Sequence, residues 1–263
     1  MRSRWLITVA LSVCAAMCCR AQQPAAEPAR KMSAGYLIVP APVVRVSHPP
    51  VQPYWPEPGD IVVYNNDSKL FHMMFKLAGT APPTHAAMVI ARADGTPALL
   101  ELAGPKTATA HVCIMDVQER FSSYPGDVMV RRIRGPLTAE QSRDLTQFAE
   151  SQVGKRFALW RCVLLGTPFC PREGMRRETF GHTYASRQRW FCSELVVAAG
   201  AAAHLYEPTR YAANATVPRD LAVDEAMDLS SLYHPPAPWT ANPPQATKGG
   251  EVRVVSGEYS MQR

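Results

Sequence analysis

One cysteine stands where a polar loop gives way to an apolar run: Cys192, in "RQRWFCSELVVAAGAAAHLY", Arg187 to Tyr206. The run reads as a long buried helix, so Cys192 falls on its first turn. Unpaired backbone N–H groups and the positive end of the helix dipole stabilise a thiolate at that position. Such a thiol becomes a nucleophile when an imidazole takes its proton and a third polar group orients the imidazole. Without a base it reads as a small buried hydrophobe.

Seven histidines compete for the role of base. Only His85 opens an apolar strand directly behind a polar, proline-bearing loop, "GTAPPTHAAMVI". A histidine there sits at the rim of a sheet, where it can meet a helix N-terminus. Glu101 lies within the apolar "ALLELAG", and a buried carboxylate is costly unless it has a partner. Taken singly, His85 reads as a structural strand residue and Glu101 as an edge-strand charge. Ser193 and Glu194 read as helix-start residues, the acid favoured by the dipole. Together, His85, Glu101 and Cys192 on strand, strand and helix N-terminus form a candidate catalytic triad. No CxxC pair and no HExxH is present, so no metal site and no cofactor is expected.

The elements that must position these residues are legible in outline. "DIVVY" (Asp60–Tyr64) is a short β run, and "SKLFHMMFKLAG" follows with helical spacing and Gly79 as a stop. "THAAMVIARADGTPALLELAG" reads as a hairpin turning at Asp94-Gly95. "DVMVRRI" is a further strand. "LTAEQSRDLTQFAESQVG" is a helix with a capping box at Thr138 and Gln141, and Leu145, Phe148, Ala149 and Val153 form its buried stripe. An arginine-rich loop, Trp160 to Arg189, leads into the cysteine helix. Helices and strands are segregated, which predicts an α+β fold.

The triad imposes a parity rule on the hairpin. Side chains alternate along a strand and directly paired residues share a face. A two-residue loop at Asp94-Gly95 would turn Glu101 away from His85. A three- or five-residue loop, or a bulge between Ile90 and Leu99, is therefore expected.

The ends of the chain bound location and partners. Residues 1–21 combine Arg2 and Arg4 with the apolar "WLITVALSVCAAM" and a small-residue cut point after Ala21. This is the layout of a secretory signal, too short for a comfortable bilayer span. Export to a bacterial periplasm or beyond is expected, with lipid attachment at Cys14, Cys18 or Cys19 the lesser alternative. Cleavage removes three arginines and lowers the net charge from +6 to +3, so the basic balance is no argument for a nucleic-acid partner. Cys113, Cys162, Cys170 and Cys192 remain. Cys162 and Cys170 are the pair that could close a disulfide in an oxidising compartment, and Cys113 is expected to be buried and apolar. Residues 22–56 read as a proline-rich lead-in, 57–232 as one catalytic domain, and 233–263 as a proline-rich, flexible tail. Oligomeric state is left open.

"PGDIVVY", "THAAMVI", "LLELAG" and "FCSELV", in that order, resemble the permuted papain-like amidases of the NlpC superfamily, in their YaeF/YiiX-like branch. The likeness runs from about Pro58 to Leu221, closing on "VPRDL". In ordinary papain-like enzymes the cysteine helix precedes the histidine strand; in the permuted ones the histidine comes first, as here. The resemblance implies a circularly permuted papain-like fold, with an antiparallel sheet packed with helices and the nucleophile at a helix N-terminus. It implies a thiol hydrolase or acyltransferase, with Cys192 as nucleophile, His85 as base and Glu101 as orienting group; with the signal segment, the first reading is an exported cysteine amidase or peptidase-type hydrolase. Its substrate would be a small-molecule, peptide or lipid amide at a membrane or cell-wall surface.

The oxyanion would rest on the Cys192 backbone N–H, with Tyr64 as a second donor. Arg172, Arg176, Arg177, Arg187 and Arg189 could read an anionic group on a substrate; Arg187 and Arg189 are nearest the cysteine in sequence. An acyltransferase on the same fold, or a non-catalytic binding module, are the alternatives.

Overall fold

Three runs, "IVVYN", "HAAMVIA" and "PALLELA", are apolar almost without interruption. Strands of that kind must be covered on both faces. The structure, a computed structural model, describes residues 33–39, 50–66, 69–77, 80–104, 109–160, 187–207 and 210–243. These all belong to one compact unit. The signal segment, Cys162, Cys170, Arg172, Arg176 and Arg177 lie outside the described residues.

The strands are β1 (Tyr36–Ile38), β2 (Val51–Pro53), β3 (Ile61–Asn65), β4 (His85–Ala91), β5 (Pro97–Ala103), β6 (His111–Asp116), β7 (Asp127–Arg131), β8 (Arg156–Phe157), β9 (Arg189–Trp190) and β10 (Ala237–Thr240). They form one sheet in the order β2-β1-β10-β7-β3-β4-β5-β6-β8-β9. Every pairing is antiparallel except the short β8–β9 pair at one edge. The helices are α1 (Lys69–Leu77), α2 (Val117–Ser123), α3 (Ala139–Gln152), α4 (Cys192–Ala202) and α5 (Pro218–Ala222). The fold is thus mixed α+β, built on a large antiparallel sheet with few helices. Among the described residues no helix is long and apolar enough to cross a membrane.

Side-chain alternation divides the core. Ile61, Val63, Ala86, Met88 and Leu100 point to one face, where Leu145 and Ala149 of α3 and Leu195, Val196 and Ala199 of α4 cover them. Val62, Tyr64, Ala87, Val89 and Leu99 point to the other, against Val117 and Phe121 of α2. Phe121 also meets Tyr54 and Trp239, so the outer strands curl round this second core. α4 is apolar on every side, as a helix enclosed by sheet, α3 and the segment after it must be.

The hairpin has the odd parity that puts Glu101 on the His85 face. Ala91 pairs with Pro97, leaving Arg92–Thr96 as a five-residue connection. The Arg92 N–H donates to Thr96 O, and Gly95 takes φ of 81°, which the turn needs and glycine supplies. Val89 opposite Leu99 puts Glu101 opposite Ala87, two residues along the same face from His85.

Three expectations need correction. Residues 36–38, 51–53 and 237–240, expected in a loose lead-in and a flexible tail, are strands of the sheet: β10 joins β7 to β1. Proline removes a ladder donor but is tolerated at strand ends and edges, so proline content concealed them. Val153, expected in the α3 stripe, is exposed, and Gln152 is buried instead. α3 ends at Gln152, and Val153 has already left helical geometry with ψ of 136°. The Gln152 side chain accepts from Trp190 Nε1 at 3.0 Å, which ties α3 to the residues before α4. Cys113 is half-buried, not enclosed. The α3 capping box is as expected, with Thr138 and Gln141 exchanging bonds of 3.0 and 3.1 Å.

A buried carboxylate pins β3. Asp60 is wholly enclosed and accepts from Tyr54 Oη, the Glu57 N–H and the Ile133 N–H. Burial pushes its pKa up from 3.8 to about 6, against the lowering effect of those donors and of Arg132. A raised carboxyl holds its proton in the folded state after the unfolded chain has lost it. Its contribution to stability therefore falls as pH rises from 3.8 through about 6. In denaturant titrations the advantage of wild type over Asp60→Asn should shrink across that window; an advantage that grows with pH would contradict it.

Candidate active site

His85 is the first residue of β4 and Glu101 the fifth of β5, so both stand near one end of the sheet. The His85 Nε2 lies 3.0 Å from Glu101 Oε1. Cys192 is the first residue of α4 and only 3% exposed. Its thiol lies close enough to the same imidazole to act on its titration. Of the three residues that the sequence singles out, His85 and Glu101 are in direct contact, and Cys192 is near enough to act on His85.

Electrostatics at His85 follow from that placement. Burial would pull the imidazole pKa down. The charge and hydrogen bond of Cys192, then the hydrogen bond and charge of Glu101, outweigh it and hold the pKa up at about 10. The His85 side chain keeps 20% exposure, whereas Glu101 has none. For Glu101, burial acts upward, but His85 and then Arg120 prevail and keep the carboxyl below its ordinary value.

Arg120, on the last turn of α2, is the residue that sequence reasoning missed. Its Nε lies 3.0 and 2.9 Å from the two Glu101 oxygens, and its Nη2 lies 2.5 Å from Oε1. The guanidinium sits 5.5 Å from the Tyr64 ring centre and 5.0 Å from that of Tyr124. α2 is held by Asp116, which accepts the Glu119 N–H at its start, and by buried Val117 and Phe121. A signal was present in "VQERF": an apolar pair four residues apart makes a helix, and a buried glutamate requires a cation.

The start of α4 is fastened on several sides. Ser193 Oγ donates to Thr216 O at 2.6 Å, and Glu194 Oε2 accepts the Phe191 N–H at 3.2 Å. Arg187 Nε lies 2.7 Å from Glu194 Oε1. Arg187, expected at a substrate, thus pairs with an acid of the cysteine helix. Arg189 is exposed on β9, where it pairs in register with Arg156.

Tyr64, expected as an oxyanion donor, is fully buried. It pairs directly with His85 across β3 and β4, so its ring stands beside the imidazole, with centres 5.5 Å apart. That is a wall for the histidine, and an enclosed hydroxyl there has no opening to a substrate. Cys113 pairs with Glu101 from β6, and its thiol donates weakly to Glu101 O at 3.5 Å. Burial and then the Glu101 charge push the Cys113 thiol pKa up. Among the described residues no group of three or more His, Cys, Asp or Glu side chains is placed to hold a metal ion.

No family model matches the chain, and no curated protein matches it. Among solved structures it has a weak likeness to YiiX from Escherichia coli O157:H7, described as a metalloprotein. The two are 22% identical, with a TM-score of 0.39, over 57% of this chain and 67% of that one.

Proposed function

We propose that this chain is an exported thiol hydrolase of the circularly permuted papain-like kind, acting on an amide or ester. The observation that carries the reading is the position of His85, bonded through Nε2 to Glu101 and close enough to Cys192 for the thiol to act on its titration. With Nε2 engaged, Nδ1 is the nitrogen that serves the thiol. The Cys192 thiolate adds to the carbonyl carbon, and the oxyanion is met by the backbone N–H of Cys192. That group lies in the first turn, whose N–H groups have no intrahelical acceptor. The imidazolium gives its proton to the leaving amine or alcohol, the C–N or C–O bond breaks, and a thioester remains. His85 then takes a proton from water as it attacks. The carboxylic acid leaves and the thiolate is restored.

Glu101 keeps the imidazole oriented throughout and offsets its charge. A small-molecule, peptide or lipid amide at a cell-wall or membrane surface fits the expected export, and neither cofactor nor nucleic acid enters this scheme. A thiol-reactive acyl probe tests it, with peptidoglycan fragments and lipid amides as competitors. Wild type should be labelled at Cys192, Cys192→Ala should lose the label, and the true substrate class should compete. Equal labelling of the two proteins would refute the reading.

A further inference from the structure

We propose that Arg120 is a positioning residue, whose guanidinium holds the Glu101 carboxylate ionised and turned toward His85. This rests on the reading of Cys192, His85 and Glu101 as the reacting set. Glu101 has no exposure to solvent, so water cannot supply the bonds that an ionised carboxylate needs. His85 supplies one of them, at Oε1. Arg120 supplies the others: it bridges both oxygens through Nε and doubles on Oε1 through Nη2. A planar fork of fixed charge constrains the rotation of the carboxylate in a way that a single donor does not.

The guanidinium is itself located, since Tyr64 and Tyr124 lie against it and Phe121, the next residue, is locked in the second core. Tyr64 touches both Arg120 and the His85 ring, so one aromatic side chain sets the two cations on either side of the acid. Arginine stays charged at every pH at which His85 or a thiol titrates. The carboxylate can then remain an anion whether the imidazole is protonated or neutral, which the two halves of a thioester mechanism both require. The titratable and charged groups that face Glu101 are His85 from β4, Tyr64 from β3, Cys113 from β6 and Arg120 from α2. Cys192 of α4 acts on it through His85. Arg120 is the permanent cation of this set, and removing it lets Glu101 take a proton at higher pH.

Iodoacetamide alkylation of Cys192 in the full chain, followed by mass spectrometry from about pH 5 to about pH 9, reads this without a known substrate. Arg120→Met should move the acid limb of the rate profile up by about one pH unit, a fall of about tenfold near pH 6. Arg120→Lys, which keeps the charge without the fork, should recover part of that shift. In a Glu101→Gln background Arg120→Met should cause no further fall, because no carboxylate remains to be held. A folded Arg120→Met protein with the wild-type profile, or an equal further fall in the Glu101→Gln background, overturns the proposal. If Arg120→Met does not fold, an unmoved profile in Arg120→Lys overturns it instead. His85→Ala separates the two levels: if it leaves the Cys192 rate unchanged, the reacting set itself fails. If it slows the rate while the Arg120 variants keep the wild-type profile, the role of Arg120 alone fails.

Discussion

His85→Ala should lower the alkylation rate of Cys192 near pH 6 by about a hundredfold or more, the usual scale of a lost acid–base partner. Cys192 is buried, as are its chain neighbours Trp190, Phe191 and Ser193. Such surroundings disfavour a charged sulfur unless a cation is at hand. His85 is that cation, because Cys192 and Glu101 hold its pKa up at about 10 against the effect of burial. A protonated ring beside the thiol favours the thiolate. Removing it leaves the helix N-terminus as the remaining support for a thiolate. Cys113 provides an internal reference, since burial and the Glu101 charge push its thiol pKa up. Peptide mapping should show wild-type Cys192 modified well before Cys113, and the order lost in His85→Ala. Equal rates at Cys192 in the two proteins would return that residue to a packing role.

Glu101→Ala should cost about 3–5 kcal/mol of stability, the penalty for breaking a largely desolvated ion pair from one side. The substitution leaves Arg120, 19% exposed, and His85 without their anion. Glu101→Gln keeps the shape and an acceptor oxygen and should cost less. Replacing both partners, Glu101→Leu with Arg120→Leu, should recover much of the loss, because no charge is then stranded. Urea titration of the four proteins measures this. A cost below about 1 kcal/mol for Glu101→Ala, the range of an exposed pair, would mean that solvent reaches the carboxylate.

Much of this arrangement was decided locally and could be read from the chain. A capping box, a glycine turn and an apolar run headed by a cysteine act over a few residues, and α3, the β4–β5 hairpin and α4 stand where those signals put them. Even the odd parity of the turn followed, because alternation leaves two choices and one of them parts Glu101 from His85. Other features depend on which segments become neighbours. β1 and β10 are short and carry or adjoin prolines, and only the free edge of β7 makes β10 a strand. Val153 lost its expected place because α3 ends one residue earlier, where Gln152 meets Trp190 across the fold. Glu101 announced by its burial that it needed a partner, but not that there would be two. Arg120 lies 19 residues on, across β6, and reaches Glu101 because the β5–β6 pairing brings α2 back over the same face. Periodicity and capping are properties of the chain; the partner of a buried charge is a property of the sheet order.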